Sequence, residues 1–397
     1  MDKRLLARRI FDAGVAAADP TAAVLAHLGE VTPPALIVAV GKAAGRMAQP
    51  AMAAFPGART LIVTNYENAL AIEGAEVFAA GHPVPDTNGE MAGRAVIAAL
   101  EAAGGPVLAL ISGGGSALLP APAEGITLAE KARVNAALLA SGLDIRAMNL
   151  VRQQVSRLKG GGMLRAAAPF PVTALILSDV IGDDLSAIAS GPTVAPLGTA
   201  PEARALLEEV NVWDAMPESV KLCLNEAKIP AALPPARNIL VGSNALSVAA
   251  MAKAAGPCVV LDPPVEGDVG DAALRICDAA GPGVTLWGGE TTVQIRASGK
   301  GGRNQELALR IASEGKARGW MDWACLQGGS DGRDGPVDAA GGLVDHGTLN
   351  RIVAAGGSPE RLLANNDSYA ALALAGDLLM TGATGTNVAD LGVMIRS

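Results

Sequence analysis

The sequence predicts an α/β protein of two domains, each a sheet of buried strands flanked by helices. The chain has 397 residues, more than a single hydrophobic core usually serves. Half of the residues are hydrophobic but only 3% are aromatic, so the interior must be close-packed Ala, Val, Leu and Ile, a composition that suits helices and strands buried on both faces. Short apolar runs that end in turn residues also alternate with stretches of helical character, the pattern of parallel α/β sheets.

The runs, in order, are Leu36–Val40, Thr60–Val63, Val107–Ile111, Thr173–Leu177, Asn238–Val241, Cys258–Leu261, Val284–Trp287, Trp323–Leu326 and Gly392–Ile395. Most of them read as strands buried on both faces. Helix-like stretches between them include Gly45–Ala54, Met91–Ala103, Leu128–Ser141, Asn304–Ala312 and Ser368–Ala375. The segment 228–237, KIPAALPPAR, concentrates three prolines without a period of either kind and reads as a linker. It divides the chain into residues 1–232 and 233–397.

A net charge of −8 with no Lys/Arg block disfavours a nucleic-acid surface or an anionic membrane as partner. No stretch is long and charge-free enough to span a bilayer, and Arg8, Arg9 and Asp12 interrupt the N-terminal apolar run that a signal peptide would need. Cys223, Cys258, Cys277 and Cys325 are widely spaced and form no CxxC, so reduced thiols in a cytoplasmic protein are expected. A small anionic substrate would then need a local cluster of cations.

Such clusters are expected where loops leave strand ends. After the first run, Gly41-Lys42-Ala43-Ala44-Gly45 enters a helix and offers a lysine and backbone N–H groups at a dipole-positive end, an anion site unless Lys42 is simply solvated. Ser112-Gly113-Gly114-Gly115-Ser116 follows the third run and could bring backbone amides up to a phosphate, or could be a plain tight turn. Lys159, before Gly160–Gly162, reads as a cation at a helix C-terminus. Asp179, Asp183 and Asp184 fall within six residues of one another in the loop after a strand end and suit Mg²⁺, although one of the latter two is expected to cap a helix. In the second half, Arg303 in GKGGRNQE sits at a helix start, where a cation is electrostatically misplaced, which suggests a fork for a carboxylate or phosphate. Asp331 and Asp334 could serve a metal or a hydroxyl, or form turns. His82 reads as part of a structural turn. No GxxxxGK[ST] or GxGxxG is present, which removes the P-loop and weakens a dinucleotide site.

The ordered set GKAAGRMA, GHPVPD, ISGGGSALL, KGGG, SDVIGDDLSAIASGPT, GGET, GGRNQELAL, GGSDGRDGP, NNDSY and TGATGTNV resembles the class II glycerate 2-kinases, the family whose C-terminal part is called MOFRL. The resemblance runs from about Gly41 to Asn387. It implies an N-terminal Rossmann-like domain and a smaller C-terminal α/β domain, with MgATP and D-glycerate meeting in the cleft between them to give 2-phosphoglycerate and ADP. By motif match, Lys42 and Arg303 inherit the family's active-site lysine and arginine. Asp179 is the candidate for Mg²⁺ or for the 2-hydroxyl proton, Asp183 is a second metal carboxylate, and Ser112, Gly113, Gly114, Gly115 and Ser116 would cradle nucleotide phosphates. D-glycerate and ATP are the expected partners, with a homodimer left open. The alternatives are an NAD(P)H-dependent hydroxypyruvate reductase, a label that relatives often carry, and a non-catalytic sugar-acid or nucleotide-binding protein.

Overall fold

A computed structural model of the chain describes residues 2–226 and 232–397, so the expected linker at 228–237 lies partly outside the described residues. It contains two compact units.

The unit within Pro20–Val241 is built on a six-stranded sheet. Its strands are β1 (Leu36–Val40), β2 (Arg59–Asn65), β3 (Ala75–Ala80), β4 (Val107–Ile111), β5 (Val172–Leu177) and β6 (Ala236–Gly242), in the order β3-β2-β1-β4-β5-β6. The pairs β1–β2, β2–β3, β1–β4 and β4–β5 are parallel; Val38, for example, faces Leu61 on one side and Ala109 on the other. β1 and β4 are buried along their whole length, as continuous apolar runs require. The edge strand β3 is only half covered, so no such run marks it in the sequence. Helices Ala44–Ala54 and Thr87–Glu101 fill the crossovers, and Leu128–Ala140, Ile145–Gln154, Ala200–Glu209 and Glu218–Asn225 share an apolar cluster of their own around Val134, Val151 and Leu207. The strand order is that of doubly wound nucleotide-binding sheets. The chain runs outward from β1 through β2 and β3, then returns to β4 on the other side of β1, which opens a crevice at the carboxyl ends of β1 and β4.

The other unit comprises residues 2–19 together with Gly242–Ser397. Its strands are β7 (Val259–Val260), β8 (Val265–Asp268), β9 (Gly283–Thr292), β10 (Trp323–Gly329), β11 (Gly341–Asp345), β12 (Leu378–Leu379) and β13 (Asp390–Arg396). They order as β12-β11-β10-β13-β9-β7, with β8 also on β9. Only β7 and β8 run parallel to β9; the other pairings are antiparallel, against the parallel sheet that strand–helix alternation predicted. β10 reaches β11 through a helix-free loop, too short for a crossover, and such a connection forces the strand back antiparallel. β7 is a two-residue exposed edge, not the buried strand expected at Cys258–Leu261.

Alternation along these strands separates two cores. Leu286, Leu326 and Val393 face one layer, and Trp287, Cys325 and Met394 face the other, under helices Val269–Ala279 and Arg303–Ala317. The first layer is closed by helix Lys3–Ala17, whose stripe of Ala7, Ile10 and Phe11 is fully buried, while Arg4 pairs with Asp345 and, at 2.9 Å, with Asp377. A cut at 232/233 assigns this helix to the N-terminal domain. In the structure it belongs with the C-terminal residues, because its apolar stripe covers a sheet face made by them. The four cysteines are free thiols, with Cys277 and Cys325 buried. Among the described residues no helix is long and apolar enough to cross a membrane.

Phe11→Ala is expected to lower the stability of this unit by about 3–5 kcal/mol, the usual loss for a truncated buried aromatic. Urea unfolding followed by Trp fluorescence measures it, and an unchanged midpoint would show that the helix does not close the core.

Candidate active site

In the first unit the crevice is made by two loops that touch. Gly41 has φ +122°, and a Cβ there would lie 2.1 Å from Ser112 Oγ, so only glycine permits the approach. The loops are stitched by Lys42 N–H to the Gly113 carbonyl (2.9 Å), Ser112 N–H to the Val40 carbonyl (2.9 Å) and Ala43 N–H to Ser112 Oγ (3.1 Å). The sequence-predicted residues Lys42 and Ser112–Ser116 are therefore brought together.

Asp179, just past β5, joins them. A Cβ on Gly113 would sit 2.1 Å from its Oδ2, so the carboxylate rests on bare backbone. Burial raises the Asp179 pKa and the nearby Lys42 ammonium opposes the rise. His82, at the carboxyl end of β3, packs its ring on Gly114 beside the Lys42 stem. Burial and the Lys42 charge lower its pKa. Reading His82 as a turn residue missed this placement; its position directly after a strand was the available signal, hidden because β3 itself was overlooked.

Lys159 was also underestimated. Its helix ends at Gln154, so it is not a helix-terminal cation. It is buried, donating to the Ser116 carbonyl (3.0 Å), to Ser116 Oγ and to Ser190 Oγ (3.3 Å). Burial, with Arg152 adding repulsion, pushes its pKa down to about 7. Ala189, Ser190 and Gly191 all have positive φ, a run of strained backbone that presents the Ser190 hydroxyl to this lysine.

The acidic stretch after β5 divides its labour. Asp184 accepts from Ser186 N–H (2.9 Å) and Oγ and pairs with Arg146 at 3.3 Å, a capping role. Asp183 carries a buried Oδ1 without a hydrogen-bond partner, the kind of oxygen a cation would satisfy. Among the described residues no three His, Cys, Asp or Glu side chains form a cluster that could hold a metal ion. Mg²⁺ ordinarily takes one or two carboxylates, with phosphates completing its shell.

In the other unit Arg303 opens its helix, and its fork is already filled. Nε and Nη2 donate to Asp390 at 2.6 and 3.0 Å, and Nη1 pairs with Glu290 at 3.0 Å. Asp390 is buried, which raises its pKa against the pull of Arg303. The bidentate face expected to grip a ligand is thus held by the protein's own carboxylate, and one N–H each on Nη1 and Nη2 remains for anything else. Asp334 explains why a cation is tolerated here: it accepts from the Asn304 N–H (3.1 Å) and the Gln305 N–H (2.8 Å) at the positive end of the helix. Asn304 links Asp334 to Asp390 (3.3 and 2.9 Å), and Gln327 connects Asn304 to Trp287. Asp331 only closes a turn, on Arg333 N–H at 3.0 Å.

Burial pushes the Asp334 carboxyl from 3.8 up to about 6. The folded state therefore holds this proton more tightly than the unfolded chain, and the resulting stability is complete below about pH 4 and lost as pH rises through about 6. Denaturation of the native chain and Asp334→Asn across pH 4 to 7 should show their stability difference moving against the native protein as pH rises, then levelling; a flat difference would contradict the raised value.

Two family models match the chain: a domain of unknown function (DUF4147) over residues 6–225 and the MOFRL family over residues 283–390. A protein of Agrobacterium vitis provisionally named a hydroxypyruvate reductase is 41% identical over 99% of this chain and 94% of its own length. The glycerate 2-kinase of Pyrococcus horikoshii is 35% identical over 100% of this chain and 98% of its own. The crystal structure of a glycerate kinase from Thermotoga maritima superposes with a TM-score of 0.91 at 36% identity, covering 99% of both chains. With both family models in order and full-length relatives of this similarity, the chain belongs to the class II glycerate 2-kinase family, whose C-terminal part is MOFRL.

Proposed function

We propose that this protein is an ATP-dependent kinase that phosphorylates D-glycerate on its 2-hydroxyl. The observation that carries the reading is the grouping of Lys42, the Ser112–Ser116 loop and Asp179 at the switch point of a doubly wound sheet, in a chain of this family.

Phosphoryl transfer asks for little covalent help. It needs alignment and neutralisation of charge on the moving group. The glycine loop lets backbone N–H groups approach phosphate oxygens, and Lys42 adds a full positive charge beside them. Asp179, made more basic by burial, accepts the 2-hydroxyl proton as the 2-oxygen bonds to the γ-phosphorus and the bond to the β-bridging oxygen breaks, releasing ADP. Asp183, whose buried Oδ1 lacks a partner, is the residue that would hold Mg²⁺, which would supply further charge neutralisation when bound. Arg303 acts as a fixed cation: clamped by Asp390 and Glu290, it can offer only its two outer N–H groups to an anionic oxygen.

The name carried by the Agrobacterium vitis relative favours a second reading, reduction of hydroxypyruvate by NAD(P)H. Against it, the turn after β1 reads Gly41-Lys42-Ala43-Ala44-Gly45 and lacks the glycine spacing of a dinucleotide fingerprint.

Incubation with D-glycerate and MgATP should give 2-phosphoglycerate by ³¹P NMR; formation of only the 3-phosphate, or oxidation of NADH on adding hydroxypyruvate, would overturn the assignment. Lys42→Ala and Arg303→Ala should each lower turnover by about a hundredfold or more with the fold intact by circular dichroism, the usual loss when one charge-stabilising donor is removed. Rates near wild type would remove these residues from the mechanism.

A further inference from the structure

Behind Ser116 lies a cavity of about 390 Å³ that the mechanism above does not use. Its lining is mostly apolar and includes Pro83, Val84, Leu128, Leu139 and Val155. Three cations, Lys131, Arg152 and Lys159, also line it, and no Asp or Glu does. None of the three is paired with a carboxylate among the described residues. Lys131 donates to the Val155 carbonyl at 3.2 Å, Arg152 to Asn135 Oδ1 at 2.5 Å, and Lys159 to the serines described above.

Unneutralised cations gathered around one cavity repel one another, and desolvation adds to the penalty. Both effects depress the Lys131 pKa, with Lys159 and Arg152 as the repelling charges. The Arg152 Nε–H is moreover buried with no acceptor at all. A folded protein tolerates such a group of donors when a bound anion completes it.

We propose, resting on the kinase reading, that this cavity is the nucleotide pocket: Lys131 and Arg152 take the polyphosphate, Lys159 holds Ser116 toward it, and the apolar walls receive the base. Three things favour a nucleotide over the carboxylate of the acceptor. Three cations answer a multiply charged polyphosphate better than a monoanion. The volume lies within the range of roughly 300–1,000 Å³ typical of pockets for larger ligands and is far too generous for a three-carbon acid. Ser116 also closes the glycine loop assigned to phosphates, so the cavity continues that surface.

Calorimetric titration of the full-length protein with MgATP and with inorganic tripolyphosphate, together with steady-state kinetics in D-glycerate, tests the assignment. Lys131→Met and Arg152→Met should each weaken MgATP and tripolyphosphate by about tenfold or more, the scale of one charge-assisted contact, and leave KM for D-glycerate within about twofold. Ala136→Trp, at an exposed position on the cavity rim, should weaken MgATP while sparing tripolyphosphate, and it decides the matter should a cation variant fail to fold. MgATP affinity unchanged in these variants, or a rise confined to KM for D-glycerate, would overturn the proposal. If the wild type binds MgATP and loses it in the variants yet forms no phosphoglycerate, the kinase reading fails and the pocket stands.

Discussion

Two loops leaving adjacent parallel strands must pass each other at the β1/β4 switch point with no side chain between them. That constraint organises the first unit. Gly41 and Gly113 allow it, one by running against Ser112 and the other by lying flat against the Asp179 carboxylate. With bare backbone in the middle, the polar side chains gather against it: Lys42 and His82 at Gly114, Asp179 at Gly113. A methyl group at either glycine would separate the loops and disperse the cluster.

Electrostatics in the second unit obey a different logic. A cation at a helix N-terminus is unfavourable in isolation, yet Arg303 is held there because two buried aspartates flank it, one satisfying the helix amides and one the guanidinium. Asn304 and Gln327 tie those aspartates to Trp287 in the core, so the position of the charge is set by the packing of the sheet. An arginine so tightly bound is rigid, which suits the stabilisation of charge that develops in one place.

The cations near Ser116 lack that compensation. Burial and the Arg152 charge push the Lys159 pKa down to about 7, and Lys159 and Arg152 in turn depress that of Lys131. The contrast between a neutralised arginine in one unit and uncompensated lysines in the other separates a charge that is structural furniture for the site from charges that await a partner.

Much of this was legible from sequence. Buried parallel strands announce themselves as continuous apolar runs, and residues just after them are at the sheet's carboxyl edge by construction, so Lys42, Ser112–Ser116 and Asp179 could be named before any coordinates. Helix starts were equally readable at Arg303. What the sequence could not decide depended on contacts between residues distant along the chain. β3 and β11 lack a clean apolar run, because one is half exposed and the other begins with two glycines, and with β3 went the placement of His82. The antiparallel sheet arose from a short connection that no residue pattern marks. Helix Lys3–Ala17 joined the C-terminal unit because a stripe of apolar residues goes wherever an open sheet face exists, and that face is made by residues more than two hundred positions away. Local pattern determined where the strands end and which side chains sit there; long-range packing alone decided which charges are neutralised and which are left facing a cavity, since burial and pairing exist only once the chain has folded.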